Sequence, residues 1–133
     1  MKHVKILAVI MVFLFLGNAN FAGAGEDNDT KAVEHLLRGL HSLHDAGVSI
    51  HKEYNFNDLN QLRSCVGKHG NLRDKAKGLR QQATSLRDYP NRVNLTLAAD
   101  NAFTCVYCGG NGEDCAKILP FLEQVESNLA TER

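Results

Sequence analysis

Apolar residues in the first half of the chain recur with helical spacing. Val33, Leu36, Leu40, Leu43, Gly47, Ile50 and Tyr54 follow one another at alternating steps of three and four, which keeps one stripe of a helix turned toward a partner. Asp29 or Thr30 is placed to cap the start, and the asparagine-rich stretch 55–57 ends it. Gly47 lies inside the stripe, where glycine costs about 1 kcal/mol in helix propensity. A close backbone approach at that point would account for it.

A second helix is expected from Asn57 or Asp58, with Leu59, Leu62 and Val66, then Leu72, Ala76, Leu79, Ala83 and Leu86 on its apolar face. The spacing slips across Gly67-Lys68-His69-Gly70-Asn71, and two glycines this close mark a kink or short break. Pro90 suits the first turn of a third helix, where its missing N–H is not needed; Leu95, Ala98, Ala99, Ala102, Phe103 and Val106 form its buried face. Gly109-Gly110-Asn111-Gly112 is the strongest turn signal. Asp114 can cap a fourth helix carrying Ile118, Leu122, Val125 and Leu129, with Pro120 near its start. Four amphipathic segments with short connections predict an all-α fold: an antiparallel up-down four-helix bundle whose second helix is broken at Gly67–Gly70.

The amino terminus follows a different pattern. Lys2, His3 and Lys5 precede an apolar run over 6–16, and Ala22-Gly23-Ala24 fits a signal peptidase site. Eleven apolar residues fall short of the roughly 20 that span a bilayer. Residues 1–24 therefore read as a signal peptide and 25–133 as a single helical domain, secreted or periplasmic, with no stable membrane insertion after cleavage. Removal of 1–24 turns the balance of 15 bases and 15 acids into a net charge of −2.

All four cysteines, Cys65, Cys105, Cys108 and Cys115, lie in the exported part, where an even number reads as two disulfides. Zinc ligation would need thiolates and a second close Cys pair. Redox catalysis by Cys105-x-x-Cys108 would need the pair at a helix N-terminus, yet it falls at a C-terminus, where the dipole raises a thiol pKa. The segment Cys-Val-Tyr-Cys-Gly also lacks the histidine of a haem-attachment motif. Folding the second helix onto the third about Tyr89 sets Cys108 opposite position 70, about 7–8 Å in axial rise from Cys65. That favours Cys65–Cys108 with Cys105–Cys115; Cys65–Cys105 with Cys108–Cys115 satisfies the same spacing nearly as well. Each bridge would restrict the unfolded chain by about 3 kcal/mol.

Four histidines, His35, His41, His44 and His51, share the first helix. His41 and His44 are close enough in sequence to share a metal, but no third ligand is evident, and imidazoles edging the apolar seam are the simpler reading. The sequons Asn28-Asp29-Thr30 and Asn94-Leu95-Thr96 matter only in a cell that glycosylates exported chains.

Charge is unevenly distributed. Residues 59–92 carry eight bases against two acids, a net +6, while 25–58 and 93–133 are each −4. Arg73, Arg80 and Arg87 repeat every seven residues, with Lys77 on the same side. Such a stripe either pairs internally with acids of a neighbouring helix, such as Glu123 or Glu126, or offers a cationic face to an anionic partner. Nucleic acid is disfavoured, because no aromatics interleave with the bases and the net charge is negative. No nucleophile–base set, phosphate loop, paired-carboxylate cleft or cofactor fingerprint is present. The expectation is a small exported helical protein, not an enzyme and without cofactor or metal. It would act by binding another protein, as an accessory, inhibitor, immunity or host-directed factor, with Arg73, Lys77, Arg80 and Arg87 as candidate contacts. The alternative is a helical bundle that binds a metal or cofactor through the cysteine cluster or through His41 and His44.

Overall fold

The structure, a computed structural model, describes residues 29–133. The expected signal peptide and its cleavage site lie outside the described residues. Ala32–Arg133 forms one compact unit, and the described residues 29–31 before it are helical. The described residues contain helices and no strand. These are α1 (residues 29–53), α2 (Leu59–His69), α3 (Leu72–Thr84), α4 (Tyr89–Cys105), α5 (Glu113–Ala116) and α6 (Ile118–Glu132). No described helix is long and apolar enough to cross a membrane.

Local chemistry sets several boundaries as the sequence implies. Asp58 caps α2, its carboxylate accepting from the amides of Asn60 and Gln61 at 2.8 and 3.3 Å. Asp88 does the same for α4, with Pro90 in the first turn, where no N–H is missed. Pro120 is third in α6, again early enough that its absent N–H breaks no ladder bond. After α4 the chain reverses through Gly109, whose φ of 92° is the left-handed conformation that glycine alone adopts freely.

The stripe of α1 is buried along its length: Val33, Leu36, Leu40, Leu43 and Ile50 are almost fully shielded, and Tyr54 half-buried. The first four join the main core with Ala76, Leu79 and Ala83 of α3, five residues of α4, and Ile118, Leu122 and Val125 of α6. Helix α4 packs against α3, α5 and α6. Its buried face is Leu95, Ala98, Ala99 and Ala102, and three alanines there let the neighbouring helices come close. A polar link crosses from α4 to α6: buried Asn91 donates to Asp88 at 2.6 Å and accepts from Asn128 at 2.9 Å.

All four cysteines are paired, Cys65 with Cys108 and Cys105 with Cys115, so no thiolate remains to bind a metal. This is the connectivity that the level-by-level register favours. Gly47 now has a physical cause. A Cβ there would lie 2.1 Å from Cys105 Sγ and 3.0 Å from both the Cys105 carbonyl oxygen and Cys115 Sγ. The Cys105–Cys115 bridge thus rests directly on the backbone of α1.

Three expectations need correction. Asp29 and Thr30 are already helical, so neither caps α1. The expected break of the second helix is present, with α2 ending and α3 restarting at Gly70 and Asn71. The first half of that helix, however, lacks a buried stripe: Leu59 is 67% and Val66 53% exposed. Only Cys65 of α2 is buried, in a satellite cluster with Ile50 and Cys108 against which Leu62 packs. The period is helical, but α2 has just one flank to bury. Finally, Asp114 is not a cap. It lies inside the single-turn α5, whose N-cap is Gly112, and it pairs with Lys117 at 2.6 Å.

Candidate functional site

Arg73, Lys77 and Arg80 stand on α3 at i, i+4 and i+7 and share one helix face. That face looks onto a second stripe of α4. The Arg73 guanidinium carbon sits 4.0 Å from the ring centre of Phe103 and 4.6 Å from that of Tyr107, and the Lys77 ammonium 5.5 Å from Phe103. Arg80 donates to the Asp100 carboxylate. The antiparallel crossing thus pairs position 73 with 107 and 103, and position 80 with 100.

The fourth member of the expected stripe is not with them. Arg87 follows the end of α3 in the connection to α4, exposed and without an ion pair among the described residues. The expected acid partners are also different. Glu126 accepts from His41 of α1 at 2.7 Å, and Glu123 makes no ion pair among the described residues. The reason is helix adjacency: α3 packs on α4, so an acid on α4 is the one in reach.

Three shallow hollows follow the α3–α4 seam. The first, about 150 Å³, lies among Val66, Gly70, Arg73, Val106, Tyr107 and Cys108. The second, about 230 Å³, is bordered by Lys77, Arg80, Asp100 and Phe103. The third, about 240 Å³, is bordered by Thr84, Arg92, Val93, Thr96 and Leu97. Four of the six exposed large apolar residues of the described chain, Val66, Val93, Leu97 and Tyr107, border these hollows. A run of apolar side chains left open along a single groove marks an interaction surface more than scattered ones do.

Charge in the groove is positive. Arg73 and Lys77 meet aromatic faces rather than carboxylates, and Arg92 lies 5.1 Å from the Tyr89 ring centre. The one carboxylate, Asp100, is engaged by Arg80. None of the five N–H donors of Arg73 makes a hydrogen bond among the described residues, and its Nε is buried without an acceptor. The residues sequence reasoning missed are Val66, Asp100, Phe103 and Tyr107 as members of one surface. The usable signal was Val93 and Leu97, apolar positions on α4 outside its buried face.

The histidines and remaining acids do not gather. His44 donates to its neighbour Asp45 at 2.9 Å and His51 Nε2 to the Cys105 carbonyl at 2.9 Å, so His41 and His44 turn to different carboxylates. Among the described residues no three His, Cys, Asp or Glu side chains are grouped as a metal would require. The Lys117 ammonium bonded to Asp114 holds that carboxyl below its ordinary value of 3.8, which is the chemistry of a surface pair, not of a reacting acid. Compared with family models, with curated proteins and with solved structures, the chain finds no match in any of the three.

Proposed function

We propose that this chain is an exported helical protein that acts by binding another protein, and that the groove between α3 and α4 receives the partner. The reading rests on one observation above others: four exposed apolar side chains, Val66, Tyr107, Val93 and Leu97, border the same seam, flanked by Arg73, Lys77 and Arg92. Interfaces combine apolar contact with aromatic residues and arginine in this way. The positive groove suits a partner segment that carries carboxylates beside apolar side chains. Pairing of all four cysteines in disulfides supports passage through an oxidising compartment, secreted or periplasmic. We take α1, α3, α4 and α6 as the members of a four-helix bundle, with α2 and α5 as short additions at the disulfide end.

The test is site-specific cross-linking in the native extracellular or periplasmic fraction. A photoreactive residue replaces Leu97 in the groove or, as control, exposed Lys52 on α1. The expected result is one partner captured from position 97 and not from 52, with capture abolished by Val66→Glu while the melting temperature holds. Capture from α1 alone, or binding that survives Val66→Glu and Leu97→Glu together, would overturn the assignment.

A further inference from the structure

The unpaired guanidinium of Arg73 gives the groove a more specific chemistry. Of the other arginines in the described chain, Arg80 finds Asp100, Arg92 the Leu86 carbonyl and Arg133 Glu34, while Arg38, Arg63 and Arg87 are exposed, where water serves as acceptor. Arg73 is half-buried, is held against two aromatic rings, and finds none. It does not serve its own helix either. It sits in the first turn of α3, where a cation opposes the helix dipole. Asp74, the acid of that turn, is exposed and makes no ion pair with it. A guanidinium fixed by stacking has already lost most of its rotamer freedom, so binding a planar acceptor costs it little more. Beside it lies the hollow of about 150 Å³ walled by Val66, Val106 and Tyr107, apolar and small.

We propose that Arg73 is the carboxylate-recognition point of the groove. It would take a Glu, Asp or chain-terminal carboxylate of the partner protein, whose neighbouring apolar side chain fills the hollow beside Tyr107. The inference rests on the partner-binding reading of the groove and deepens it. Fork-to-carboxylate pairing is bidentate and charge-assisted, and an exposed apolar wall keeps water from competing on one side.

The experiment uses the purified oxidised protein and a displayed library of random 12-residue peptides. Enriched peptides are synthesised in acid form and as the Glu→Gln or Asp→Asn amide. Affinities are measured by calorimetry, and the Arg73 Nε–Hε resonance is followed by NMR. Enriched sequences are expected to carry an acid beside an apolar residue. The amide should bind about ten- to a hundredfold more weakly, and the Arg73 Nε signal should move only with the acid form. Arg73→Met, which keeps an apolar stem over Phe103, should bind acid and amide alike at the lower affinity while its melting temperature stays within a few degrees.

If acid and amide bind the parent equally, or Arg73→Met binds the acid as well as the parent does, the inference falls. Should those peptides still shift the amides of Val66 and Leu97, the groove itself stands as a docking site. If no peptide binds the groove, both readings fall together. Hexanoate binding as tightly as the peptides would replace a protein partner by a small carboxylate and overturn the proposal as stated.

Discussion

Replacing Gly47 by alanine isolates the contact between α1 and the Cys105–Cys115 bridge. The added Cβ would stand 2.1 Å from Cys105 Sγ and 3.0 Å from the Cys105 carbonyl oxygen. Neither atom can swing away, because one is locked in a disulfide and the other is backbone. Overpacking a core typically costs about 1–3 kcal/mol, and a rigid neighbour at this distance places the change at the upper end. Alanine recovers about 1 kcal/mol of helix propensity, leaving a net loss of about 2 kcal/mol. For a domain of this size that lowers the melting temperature by about 8 °C. Gly78→Ala is the internal control. A Cβ at Gly78, within α3, meets nothing within 4 Å, so only the propensity gain remains and the melting temperature should rise by about 4 °C. Thermal unfolding followed by far-ultraviolet circular dichroism reads both. The decisive measurement repeats Gly47→Ala in a Cys105→Ala, Cys115→Ala background, where the sulfurs are gone, only the Cys105 carbonyl contact at 3.0 Å remains, and the penalty should shrink markedly. A penalty that persists undiminished in that background would falsify the sulfur contact as its cause.

Three further outcomes follow from the same geometry. Removing Cys65 and Cys108 together opens a loop with a sequence separation of 43, against 10 for Cys105 and Cys115; chain entropy makes these worth about 4 and about 3 kcal/mol. Hydrogen exchange should then show α2 losing protection first in the Cys65, Cys108 variant, since the satellite cluster is its main anchorage. Arg80→Glu should lower stability by no more than about 1 kcal/mol, the range of an exposed pair. The double variant with Asp100→Arg should recover most of it; if it recovers none, the pair is not coupled. For Asp114, the folded pKa is depressed below 3.8 by Lys117. Its contribution is therefore complete above that value and is lost as pH falls through the lower folded one. Melting curves of the parent and Asp114→Asn should differ slightly at neutral pH and converge in acid, and a difference that widens in acid contradicts the pairing.

Much of the helical layout is legible from spacing alone. The α1 stripe, Pro90 at the head of α4, the break near Gly70 and the glycine turn follow from local rules that act within a few residues. The favoured cysteine pairing was accessible too, because axial rise converts sequence position into height along antiparallel helices. What spacing does not carry is which side of a helix has a neighbour. Leu59 and Val66 have the right period and face outward because α2 packs only through Cys65 and Leu62. For internal pairing the sequence pointed Arg80 to acids such as Glu123 or Glu126, and it reaches Asp100 instead, because charge pattern does not rank neighbours by distance. The groove was hidden for a related reason. Phe103 looks like core by composition, yet it is half-buried under Arg73, so its ring serves the surface as much as the interior.

The order in which the cysteines pair has a consequence for how the protein must be made. The two bridges cross along the chain: Cys105 and Cys108, only three residues apart, end on different partners. An unfolded chain joins neighbouring thiols fastest, because short loops close most readily. Early links in the reduced chain are therefore expected among Cys105, Cys108 and Cys115, two of whose three possible pairs are non-native, and the native one of three full pairings must then be reached by exchange. Uncatalysed reshuffling takes minutes to hours. The yield of active protein should accordingly depend on a disulfide isomerase or a thiol–disulfide buffer, more than on the rate at which helices form.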